Sequence, residues 1–146
     1  MIISFIRCNN EAVGAFQMKR DMELIRLILL DVEAQGGPNV GEQTFTVEIP
    51  GRSNDEVQYH LWLLHEAGLI DAYVIGNQLV QPRNRVSPRR LTWAGHDFLD
   101  SVRDPEVWKK TRDGALLAGG WTFDLVKDLA KGLAKKKIEE LTGVRL

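Results

Sequence analysis

The chain has 146 residues, 44% of them hydrophobic, with 19 Lys and Arg set against 20 Asp and Glu. That length suits a single domain able to bury its own core without disulfides or a structural metal. The net charge of -1 excludes a uniformly basic nucleic-acid coat, and the apolar content excludes acidic disorder.

Residues 1-17 stand apart. "IISFI" could add an edge strand, and Met18 opens a stretch that reads like a second protein start. A first helix is predicted from about Lys19 to Gln35, because Met22, Ile25, Ile28, Leu29 and Val32 recur at three- and four-residue spacing. Gly36, Gly37 and Pro38 stop it. In "TFTVEI", residues 44-49, Phe45, Val47 and Ile49 alternate with polar residues, which predicts a strand with one buried face. Pro50 and Gly51 end it.

Ser53 and Glu56 have capping-box spacing, and Val57, Leu61 and Leu64 form the inner stripe of a second helix that ends at Gly68. His60 flanks that stripe and reads as a core-edge residue hydrogen-bonded to a neighbour. "LIDAYVI" is a strand, Gly76-Asn77 is a turn signal, and "QLV" is expected as a short return strand. Pro82 and Pro88 bracket a loop, and "RRL" at 89-91 closes as a short strand. Thr92 caps the next helix, Asp104 and Pro105 start another to about Leu117, and Thr122 caps the last after Gly119 and Gly120. Val126, Leu129, Leu133 and Ile138 give that last helix its stripe.

The order helix, strand, helix, strand, basic loop, strand resembles a winged helix, in which the second helix lies in a DNA major groove and the hairpin loop is the wing. A glycine exit such as Gly68 lets the following strand fold back beside the helix. The phrases "MKRDMELIRLILL", "EVQYHLWLLHEAGLI", "RRLTWAGHDFLDSVRDPEVWKK" and "LVKDLAKGLAKKK" together resemble an uncharacterised family of bacterial and prophage-encoded proteins classed as a domain of unknown function. The resemblance runs from about Met18 to Thr142. It implies a winged-helix fold and no established activity. The expected fold class is α+β, mainly helical: an N-terminal extension at 1-17, a winged-helix domain at 18-103 and a helical extension at 104-146.

Two features depart from a standard DNA reader. Only one helix separates the 44-49 strand from the 69-75 strand, where a helix-turn-helix has two. The charge is also unusual: residues 19-75 hold four basic residues against ten acidic ones, and the helix of 53-67 opens "NDE". Asp55 and Glu56 would repel phosphates there. The loop of 76-90 carries Arg83, Arg85, Arg89 and Arg90 with no acid. Arginine forks suit phosphate or minor-groove contact. The same arginines could instead pair with the acidic helices or meet an acidic protein partner.

The leading expectation is a cytoplasmic DNA-binding protein, a transcriptional regulator of phage or mobile-element type. There the four arginines neutralise phosphates and Asn54, Gln58 and Tyr59 face the groove. The alternative is a protein-interaction module such as an antitoxin or anti-defence factor, with Tyr59 and Trp62 as anchors. Both aromatics could equally pack beneath the wing or the last helices. The C-terminal helix, with Lys135, Lys136 and Lys137, could form a homodimer. Neither metal nor cofactor is expected. Cys8 is the single cysteine, and His60 and His65 lie five apart on one helix, too far around it to share a metal. No phosphate-loop lysine, nucleophile elbow or carboxylate dyad marks an enzyme. No apolar run approaches the roughly 20 residues of a membrane span.

Overall fold

The structure, a computed structural model, describes residues 19-36, 43-76, 85-119 and 122-146. The edge strand expected in 2-6, the return strand at 78-80, Cys8 and Arg83 lie outside these residues. Among the described residues the architecture is α+β and mainly helical. Five helices, α1 (Met22–Gln35), α2 (Asn54–Glu66), α3 (Trp93–Val102), α4 (Pro105–Leu117) and α5 (Phe123–Thr142), surround one antiparallel pair, β1 (Ile70–Ile75) and β2 (Arg85–Leu91). The order is compatible with a winged-helix-like layout.

The helix starts follow their caps. Asp21 accepts from the N–H groups of Glu23 and Leu24, Ser53 from Glu56, Thr92 from Gly95, Asp104 from Glu106 and Val107, and Thr122 from Leu125. At the end of α2 the Gly68 N–H donates to the His65 carbonyl and the Leu69 N–H to that of Leu64. This is a Schellman ending, with Gly68 at φ 71. It turns the chain at once into β1.

The end of β2 returns to the same corner. The Thr92 N–H donates to the Leu69 carbonyl, and its hydroxyl donates to that of Gly68. The start of α3 is thereby seated on the exit of α2. A Cβ at Gly95 would stand 2.0 Å from the Leu69 carbonyl oxygen, so only glycine permits the approach.

The strand expected at 44-49 is not a strand. Its alternation survives, with Val47 buried, Phe45 and Ile49 half-buried and the residues between exposed. Its pairing to β2 is a single backbone hydrogen bond, from the Phe45 N–H to the Pro88 carbonyl. The reason lies on β2: Pro88 has no N–H to return. The next rung, at Val86, is taken by a side chain of α2, described below. Pro50 and Gly51 then turn the chain, with Gly51 at φ 79 and the Arg52 N–H on the Ile49 carbonyl, a type II turn. β2 in turn is longer than expected and absorbs residues 85-88, which the prolines suggested were loop.

One apolar core runs from Met22 and Ile28 of α1 through Leu61 and Leu64 of α2 and Val86 of β2 to Phe98 of α3, Trp108 of α4 and Val126 of α5. Phe98 and Phe123 stack with centroids 4.7 Å apart. Polar ties lock α1 to the α3–α4 corner. Arg26 donates through Nε and Nη2 to the carbonyls of Val102 and Arg103, and Trp108 Nε1 donates to Glu23. Arg103 grips Glu33 with two hydrogen bonds of 2.6 Å.

Gly95→Ala is expected to destabilise the fold by at least about 2 kcal/mol in urea unfolding, since backbone must move to admit the methyl group. An unchanged midpoint would refute the close approach. The Arg103 hydrogen bonds hold the Glu33 carboxyl below the usual carboxylate range. Its stabilisation is therefore complete above the unfolded pKa and lost as pH falls through the lowered folded value. Between roughly pH 5 and 3 the natural chain should lose stability more steeply than Glu33→Gln, as read from urea midpoints.

Candidate functional site: the hairpin and its flanking helix

The three α2 residues expected to face a groove meet different surroundings. Asn54 is exposed at the helix start and lines a shallow cleft with Glu48 and Arg52. Tyr59 is half-buried in a second cleft, with Lys19, Arg20, Arg112 and the same Arg52. Gln58 turns to the sheet. Its Nε2 donates to the Val86 carbonyl at 3.3 Å, and its Oε1 accepts from the Val86 N–H at 2.9 Å. The side-chain amide thus acts as one more rung on the open edge of β2, where the 44-49 segment fails to pair. That use corrects the expectation that Gln58 offers its amide to a base.

His60 is 2% exposed. The Asp21 backbone N–H donates to its Nε2 at 2.8 Å, which requires the proton on Nδ1, 2.7 Å from the Glu56 carbonyl. It joins α2 to the start of α1, as expected of a core-edge histidine. Trp62 is half-buried, and its Nε1 donates to Glu66 one turn on. Among the described residues the large aromatic side chains that do face solvent are Trp93, at 86%, and Tyr73, at 50%. Sequence reading passed over both. Trp93 was legible in principle as a large side chain at the first position of a capped helix, before any inward stripe begins.

The arginines divide. Arg85 is exposed at the start of β2, opposite Ile75. Arg89 and Arg90 lie at a bulge, where the register shifts between Asp71 and Ala72. Two β2 residues then oppose one on β1. Arg89 Nη2 donates to Asp71 at 2.8 Å, and its guanidinium lies 4.2 Å from the Tyr73 ring centre. The Asp71 hydrogen bond raises the Arg89 pKa above its ordinary value. Arg90 Nε stands 3.5 Å from Asp71, and its Nη1 donates to the Leu91 carbonyl. The outer face of the hairpin therefore carries Arg85, Arg89 and Arg90 against one carboxylate, beside Tyr73 and Ile75.

The acids of the first half are also used internally. Asp21 pairs with Arg52 at 2.8 Å, with Glu56 at 3.7 Å from the same guanidinium, and Glu33 pairs with Arg103. Burial pushes the Asp21 carboxyl up, but Arg52 and two backbone N–H groups outweigh it and hold it low. Among the described residues no three His, Cys, Asp or Glu side chains come together where they could hold a metal ion. None of their helices is long and apolar enough to cross a membrane.

Fold and site define a mainly helical α+β protein with a basic, aromatic-bearing two-stranded hairpin. The chain belongs to the family described as Hypothetical protein (DUF2513), which matches residues 19-120. It is 34% identical over 128 residues to an "Uncharacterized protein" of Haemophilus influenzae strain Rd, covering 85% of this chain and 98% of the relative. No solved structure matches it.

Gln58→Leu keeps the packing volume but strands the Val86 N–H and carbonyl. It should cost about 1-3 kcal/mol and speed hydrogen exchange at Val86. Unchanged exchange there would mean that the amide clamp is not made in solution.

Proposed function

We propose that the protein is a non-enzymatic nucleic-acid-binding module on a winged-helix plan, of the kind used by regulators of phage or mobile-element transcription. The wing, not α2, makes the contact. One observation carries this reading: the outer face of the hairpin holds the exposed Arg85 and Arg90 and, between them, a half-buried Arg89 on Asp71, beside a half-exposed Tyr73. The exposed start of α2 instead presents Asn54 and Asp55, and Gln58 is engaged on β2. Arg85 and Arg90 contact phosphates, and Arg83, two residues before Arg85 in the sequence, extends the basic run. Ile138 and Leu141, exposed on the last turns of α5, are where we place a homodimer contact that would set two wings side by side.

A second reading has its own observation. Trp93, Tyr73, Val74 and Ile75 are large and exposed, which suits a protein partner. In that reading Trp93 and Tyr73 take the anchor role first expected of Tyr59 and Trp62. Trp93→Ala would then abolish a co-purifying complex and leave DNA affinity unchanged.

Binding of duplex DNA should weaken steeply as salt rises. Arg85→Ala combined with Arg90→Ala should lower affinity by about tenfold at low salt and flatten the log-log salt dependence by about two units. Asn54→Ala should change neither quantity. Equal affinities for the natural chain and the double variant would remove the wing from the contact.

A further inference from the structure

The outer face of the hairpin holds more than a surface ion pair. Asp71 accepts from Arg89 on one carboxylate oxygen, and Arg90 approaches the other at 3.5 Å. Both guanidinium groups reach the same carboxylate because the bulge sets two successive β2 residues across from it. Arg89 is also stacked against Tyr73, which fixes the plane in which its N–H donors lie. A carboxylate and a phosphodiester each carry a single negative charge on two terminal oxygens. Two arginines arranged around the first are therefore arranged for the second.

We propose that Asp71, Arg89, Arg90 and Tyr73 form a phosphate subsite, in which Asp71 holds the place of a nucleic-acid phosphodiester until the ligand displaces it. This rests on the reading that the hairpin binds nucleic acid. Asp71 then sets a threshold. Its carboxylate competes equally with every incoming anion, and only a ligand that brings several phosphates to neighbouring arginines gains enough to displace it.

The test is fluorescence anisotropy of mixed-sequence duplex DNA over a salt series, with the full chain, Asp71→Asn, and Asp71→Asn combined with Arg90→Ala. Asparagine leaves an oxygen for Arg89 and removes the charge. Asp71→Asn should bind about three- to fivefold tighter. Its log-log salt dependence should steepen by about one unit. Adding Arg90→Ala should cancel the gain. DNA binding by the natural chain with no gain in Asp71→Asn overturns the subsite and leaves the nucleic-acid reading standing. No binding by any variant at low salt removes both. A gain for polyglutamate and none for DNA assigns the arginines to an acidic protein and overturns the proposal. Should Asp71→Asn melt early, Arg90→Ala alone decides: its exposed side chain should leave thermal stability unchanged while DNA affinity falls about threefold. An unchanged affinity in that variant overturns the subsite.

Discussion

Two carbonyl groups, those of Gly68 and Leu69, are the point on which the fold turns. α2 ends there, β1 starts there, and Thr92 brings the end of β2 and the start of α3 back to them. The contact works only because residue 95 has no side chain. Set this corner, and the hairpin must leave on one side while α3 enters the core on the other. The position of Arg85, Tyr73 and Asp71 in space follows from it, although none of them touches it.

A second constraint acts on the edge of β2. A strand edge with open N–H and carbonyl groups invites another strand. Here Phe45 satisfies Pro88 and the Gln58 amide satisfies Val86, so the edge is closed by one backbone group and one side chain. The segment before α2 is left extended with its apolar residues inward, packed without a ladder. Residues 43-52 supply their support through Val47, Ile49 and a Pro-Gly turn.

The helices were legible in the sequence, since their caps and stops are local chemistry: Ser53, Thr92, Asp104 with Pro105, Thr122 and Gly68 all act within a turn of where they stand. The buried alternation of 44-49 was legible too. Its failure to pair was not, because that depends on which groups of β2 are already engaged. Gln58 read as an exposed helix amide for the same reason. For Arg89 and Arg90 the sequence left open phosphate contact or pairing with an acid, and only a bulge in the register brings both to Asp71. The segmental charge pattern was visible, but its meaning changed. Part of the acidity of the first half is neutralised internally, since Asp21, Glu33 and Asp71 each hold an arginine.

The ties of α1 run very far along the chain. Arg26 depends on Val102 and Arg103, and Glu23 on Trp108, separations of 76, 77 and 85 residues. During synthesis at about 5-20 residues per second, Arg26 and Glu23 wait several seconds for the partners they bond. Its apolar stripe meets Leu61 and Leu64 of α2 and Val86 of β2 sooner, while the polar ties of Arg26 and Glu23 wait for the α3–α4 corner. Among the described residues the earliest helix is thus tied by side chains to some of the later ones, and its anchoring needs most of the described chain to have been made.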